Sequence, residues 1–296
     1  MPVRERNAIV REIKKQDFDS IMRAWLDAGR VENDRLKQSV IVTLWGYAMR
    51  ERTVPPDVFD KMKAIMADSS YSIHERGDMI GVLAEATTPE AAKLLIYEAT
   101  TQTDAEMKRM ATSAISELGN TYNEANATLL EPLWKGSNDP LMMKSVAKAM
   151  GRISKASSVE LLFNAVLADT SANPNDSRGQ AAFDGLMEVH TDNAIPPLAT
   201  AMEKNPPGSP ANKLALDILG QIQDKAASAV VMKWLQASYS SAAPLATEWI
   251  TQARGTEQLK AAQAALDPSV PFRSEANREA LRKGLDAYRA NHTYGP

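Results

Sequence analysis

Residues 149–169 read AMGRISKASSVELLFNAVLAD. A small and apolar segment ends at Met150-Gly151, a polar turn follows around Ser154-Lys155, and a leucine-rich run then places Val159, Leu162 and Phe163 on one helical face. The pattern is that of two helices joined by a tight turn. Met150 also belongs to a row that runs along the chain: Leu44, Leu83, Leu118, Met150, Leu186, Leu219 and Ile250, with gaps of 39, 35, 32, 36, 33 and 31 residues. A period in the thirties with helical patterning marks a stack of helical hairpins, each hiding its apolar face against its neighbours.

Aligning the seven anchors exposes the columns around them. Four residues before each stand Val40, Met79, Ala114, Val146, Ala182, Ala215 and Ala246, and three before stand Ile41, Ile80, Ile115, Ala147, Phe183, Leu216 and Thr247. These positions share one face of a helix with the anchor, so each repeat is expected to bury one anchor helix on that face. Gly119, Gly151 and Gly220 directly follow three anchors. Glycine inside a helix costs roughly 1 kcal/mol against alanine, and its return in one register points to close helix–helix contact. A second helix is expected a dozen residues after each anchor, with Pro132, Pro196 and Pro197 near helix starts. Thr88, Asp139 and Ser209 each precede a proline as N-caps. SANPND (171–176) and NPPGSP (205–210) read as longer loops on one edge.

The chain has 296 residues, 44% hydrophobic and 24% charged, within the range of folded soluble proteins. The net charge of −3 lacks the basic excess that phosphate-backbone binders carry, so no nucleic-acid partner is expected. The absence of cysteine excludes disulfides, thiolate metal sites and cysteine nucleophiles. No stretch reaches the ~20 apolar residues of a membrane span, and the charged N-terminus does not read as a signal peptide. A cytoplasmic location is expected for the chain as written, and a periplasmic one if the natural gene starts upstream of Met1.

Segments 149–169 and 218–235 (ILGQIQDKAASAVVMKWL) resemble HEAT repeats, in particular the short bacterial kind found in phycobilin-lyase-like proteins, with residues 75–255 covering the pattern best. The resemblance implies an all-α, right-handed α-solenoid of about seven helical hairpins. Residues 1–70 would form an N-terminal helical cap and first repeat, residues 71–266 the HEAT-like repeats, and residues 267–296 a C-terminal capping helix. The chain departs from the family in its Asp…Arg bridging pair, which is irregular: Arg76 and Arg178 stand near the expected place, where other repeats have Met143, Ala211 or Ala243.

The sequence holds no nucleotide-binding glycine loop and no nucleophile elbow. His74, His190 and His292 are too scattered for a metal-ligand pattern, so neither a metal nor a cofactor is expected. Beside the anchors, however, Asp184, Asp217 and Glu248 occupy the position two before, and Glu188 the position two after. They form an acidic strip suited to a basic partner segment. Trp45 and Trp249 flank anchors and are expected to show an edge. The reading is a non-enzymatic protein-binding or scaffolding solenoid whose concave face takes a partner at Asp184, Glu188, Asp217, Glu248 and Trp249. The resemblance implies an alternative, an accessory lyase or chaperone-like HEAT protein; a HEAT-like DNA glycosylase ranks lower because of the acidic strip.

Overall fold

A computed structural model describes residues 3–30, 35–50, 53–170 and 177–292. Among the described residues there are seventeen α-helices and no strand. The loop expected at 171–176 lies outside the described residues. By internal packing the chain divides into two units, Met1–Ala149 and Met150–Pro296.

The first unit opens with α1 (Val3–Ile13) and α2 (Phe18–Arg30), followed by α3 (Arg35–Arg50), α4 (Pro56–Ala67), α5 (Ile73–Ala86), α6 (Pro89–Thr101), α7 (Ala105–Ala114) and α8 (Glu124–Gly136). Helix α9 (Pro140–Ile153) carries the chain into the second unit. Helices α3, α5 and α7 pack side by side, α4, α6 and α8 do the same, and neighbours along the chain join the two rows. This is the hairpin order that the thirty-odd-residue period requires. The second unit repeats it with α10 (Ala156–Ala168), α11 (Arg178–Leu186), α12 (Ile195–Lys204), α13 (Pro210–Gln221), α14 (Lys225–Ala237), α15 (Ala243–Thr251) and α16 (Thr256–Ala265). There α13 packs on α15, and α10, α12, α14 and α16 pack in succession. The last helix, α17 (Glu275–His292), lies against α15. Its buried Leu285 follows Ile250 by 35 residues, so the anchor row has an eighth member, which the irregular segment DPSVPF (267–272) conceals in the sequence.

All seven anchors are buried. Their immediate columns are less uniform: Val40 and Phe183 are each 37% exposed, because an apolar register does not by itself supply a neighbour to cover it. Leu118 stands on a 3-10 segment (Ile115–Thr121) that continues α7, where Ile115 and Leu118 still share a face because 3-10 side chains repeat every three residues. Pro132 is inside α8, not at its start. It is exposed, so water can reach the carbonyl that its ring leaves without a helical donor. The caps at Thr88, Asp139 and Ser209 accept hydrogen bonds from the backbone N–H of Ala91, Met142 and Asn212 at 3.2, 2.8 and 3.2 Å.

The residue four after the anchor takes left-handed backbone in three consecutive repeats, at Thr87 (φ 48°), Tyr122 (φ 53°) and Ser154 (φ 56°). Helix ends favour this conformation, although glycine usually supplies it. Buried amides then tie turns together. Asn126 Nδ2 donates to Thr87 O at 2.8 Å, Asn212 Nδ2 to Met202 O at 3.3 Å, and Gln38 Nε2 to Trp25 O at 3.1 Å. Ion pairs also join repeats: Arg76 Nη2 lies 2.7 Å from Asp104 Oδ2, and Arg50 Nη2 lies 3.1 Å from Glu85 Oε2.

Glu98 on α6 is a buried carboxylate, 5% exposed, that accepts a hydrogen bond from Gln102 Nε2 at 3.0 Å. Burial pushes it above the ordinary glutamate range, while Gln102 and the Lys63 ammonium pull it back. A carboxylate raised in the folded state contributes stability that is fully present below its unfolded value and is lost as pH rises through the folded one. Glu98→Gln is therefore expected to gain stability relative to the parent at pH 7.5 and to lose that advantage at pH 4. Thermal melts at both values check this, and an advantage that is the same at both, or larger in acid, would contradict it.

Candidate functional site

Within the second unit, the packing of successive anchor helices changes along the row. At the α9–α11 step the backbones touch: a Cβ added to Gly151 would stand 1.8 Å from Gly185 O. At the α13–α15 step the equivalent glycine, Gly220, meets only side chains as its nearest neighbours. These are Gln258 Nε2 at 3.5 Å from its Cβ position, and Trp249 Cδ1 and Nε1 at 3.7 Å. The indole and the amide stand where backbone stands two steps earlier, and a cavity of about 320 Å³ opens beside them. Phe183, Met187, Leu216 and Leu245 make its apolar wall, which explains why Phe183 is left uncovered.

The polar lining comes from α13, α15, the turn after α15 and Gln258 on α16. Asp217 and Glu248 face the cavity from the two helices, with Gln221 and Gln252 four residues further on each. Lys213 and Arg254 supply the cations. Gln221 Nε2 donates to Met187 Sδ at 3.1 Å, which fixes that amide against the wall. Buried Gln258 accepts from the backbone N–H of Arg254 at 2.8 Å and of Gly255 at 3.3 Å, and so fixes the turn that carries Arg254.

Asp217 is open to solvent on one side. The protein around it nevertheless raises its carboxyl above the ordinary aspartate range, Glu248 adds to the rise, and Arg254 and Lys213 oppose it. Neither Asp217 nor Glu248 forms an ion pair within 4.0 Å among the described residues. Trp249 is 5% exposed, so the edge expected to show is covered, and its Nε1–H has no hydrogen-bond partner. Trp45 is fully buried, packed edge-on against Phe18 with ring centroids 5.2 Å apart. An unpaired buried donor costs about 1–3 kcal/mol, so the Trp249 N–H is a ready donor for anything that brings an acceptor oxygen.

Of the five residues singled out in the sequence, the structure brings Asp217, Glu248 and Trp249 to one cavity and leaves the other two outside it. Asp184 accepts from Gln180 Nε2 at 2.8 Å on its own helix. Glu188 is engaged by Arg152 Nε at 3.0 Å, a bridge from α9 to the turn after α11. Gln221, Gln252 and Gly220 stand in anchor columns and were legible as such. Lys213, Arg254 and Gln258 fall outside those columns, and no local signal marks them. The lining has no hydroxyl and no imidazole, so it offers no serine- or histidine-based nucleophile and base. No group of three or more histidines and carboxylates placed to hold a metal ion occurs among the described residues, and no described helix is long and apolar enough to cross a membrane.

No family model matches the chain, and no curated protein matches its sequence. Among solved structures it is similar to the complex of CpcE and CpcF of phycocyanin lyase from Nostoc sp. PCC7120, at 16% identity and a TM-score of 0.37, covering 90% of this chain and 93% of that one. Human deoxyhypusine hydroxylase in complex with glycerol gives 15% identity and a TM-score of 0.32, over 94% of this chain and 98% of that one. An engineered protein gives 16% and 0.34, over 97% and 84%. Likeness at this level says nothing of ligand or chemistry. What the molecule itself establishes is an all-α chain of packed helical hairpins with a charged, partly apolar cavity between α13 and α15.

Proposed function

We propose that this chain is a non-enzymatic protein-binding module, and that its second unit seats a basic side chain of a partner protein between Asp217 and Glu248. The single observation that carries the reading is the cavity lined by two carboxylates that have no ion-pair partner among the described residues. A cation entering there meets opposite charge in a partly desolvated setting, where attraction exceeds its value in bulk water. Its size suits a side chain rather than a whole helix, since ligand pockets run from about 300 to 1,000 Å³ and this one is about 320 Å³.

The test compares the parent with Asp217→Lys/Glu248→Lys in affinity capture from native lysate, alongside a titration with a labelled arginine-containing peptide. Because neither side chain supports the core, the double variant is expected to stay folded. It should weaken peptide binding at least tenfold and lose a defined protein that the parent retains. Equal peptide affinity and an identical captured set would overturn the reading. Asp217 must be ionised to hold the cation, so binding is also expected to fall as pH drops through its raised range.

A further inference from the structure

The polar lining is not simply acidic. Lys213 and Arg254 stand beside Asp217 and Glu248, so the cavity is balanced in formal charge. A basic side chain alone would satisfy the carboxylates and leave the two cations facing a third positive charge. It would also do nothing for Trp249, because ammonium and guanidinium groups bring donors and no acceptor, and Trp249 Nε1 is itself a donor without a partner. The occupant therefore has to carry an anionic or strongly accepting oxygen next to its cation. Arg254 is held at the rim by the turn that Gln258 fixes, and its guanidinium can grip a carboxylate through two parallel hydrogen bonds.

We infer that the cavity recognises the carboxy-terminal residue of a polypeptide when that residue is lysine or arginine: the side chain lies at Asp217 and Glu248, and the terminal carboxylate meets Trp249 Nε1, Arg254 and Lys213. The inference rests on the partner-binding reading above and narrows it to a chain end. An internal basic residue offers only neutral carbonyls to the same donors, and a charge-assisted hydrogen bond is roughly twice as strong as a neutral one. The size of the cavity fits one residue with its terminal group, and Trp249 is part of its lining.

The experiment uses the full chain and three labelled Gly-Ser peptides: one ending in arginine with a free carboxylate, the same peptide as its C-terminal amide, and one with arginine at an internal position. The free acid is expected to bind at least tenfold more tightly than the other two, and Arg254→Gln, a change at an exposed residue, should bring the acid-to-amide ratio toward one. Trp249→Phe should do the same through loss of the N–H. Equal affinity for acid and amide, with both abolished by Asp217→Lys/Glu248→Lys, would overturn the terminal-residue inference and leave partner binding intact. Failure of all three peptides to bind would overturn both. Displacement of the acid peptide by equimolar free arginine would overturn the assignment to a chain end.

Discussion

Asn277→Asp is expected to destabilise the protein by about 3–5 kcal/mol at pH 7.5, the cost of an uncompensated buried charge. Asn277 is fully buried at the start of α17, and its Nδ2 lies 3.1, 2.9 and 3.1 Å from the carbonyl oxygens of Leu235, Ser238 and Tyr239. Three acceptors converge on one amide, so a carboxylate of the same shape meets only like partial charge. The introduced carboxyl escapes by staying protonated, which raises its folded-state value above the unfolded one. Its stability contribution is then retained in acid and lost as pH rises, so the deficit should be much smaller at pH 4 than at pH 7.5. Denaturant midpoints at both values check this. A variant as stable as the parent at pH 7.5, or a deficit that does not change with pH, would contradict it.

Gly151→Ala should also destabilise, against the usual direction for a helix. Alanine ordinarily gains about 1 kcal/mol over glycine inside a helix. Here its Cβ would fall 1.8 Å from Gly185 O and 2.7 Å from Gly185 C, and backbone cannot swing aside as a side-chain tip can. Overpacking costs about 1–3 kcal/mol and more where rigid atoms collide, so a net loss of about 2 kcal/mol is expected, and a larger one for Gly151→Val. Gly136→Ala is the control: nothing lies within 4 Å of its Cβ position, and no loss is expected there. A Gly151→Ala variant that melts at or above the parent would mean that α9 and α11 do not touch at this point.

The same two sites show what the sequence could reveal. Gly151 stood out because it recurs beside the anchors, and an anchor register is a local property that one helix displays by itself. Asn277 did not, because its meaning comes from three carbonyls 38 to 42 residues away. Leu285 continues the anchor row but was hidden by the irregular segment before it. Phe183 sits in an apolar column like its counterparts, yet it lines a cavity, because whether a neighbour covers it depends on the next repeat. The site divides in the same way. Asp217, Glu248 and Trp249 were readable from columns two and one before the anchor. Asp184 and Glu188 shared the pattern but are engaged by Gln180 and Arg152. Lys213 and Arg254, which turn an acidic strip into a charge-balanced cavity, sit outside every register.

The Trp249 indole gives the most direct test of the cavity as the binding site. The chain has five tryptophans, so its nitrogen–proton spectrum should hold five indole signals, with Trp249 identified by its loss in Trp249→Phe. On titration with the peptide ending in free arginine, the Trp249 N–H signal should move downfield as it gains its missing acceptor, while those of Trp25, Trp45 and Trp134 stay in place. A peptide that saturates the protein and leaves the Trp249 signal where it was would contradict binding in this cavity.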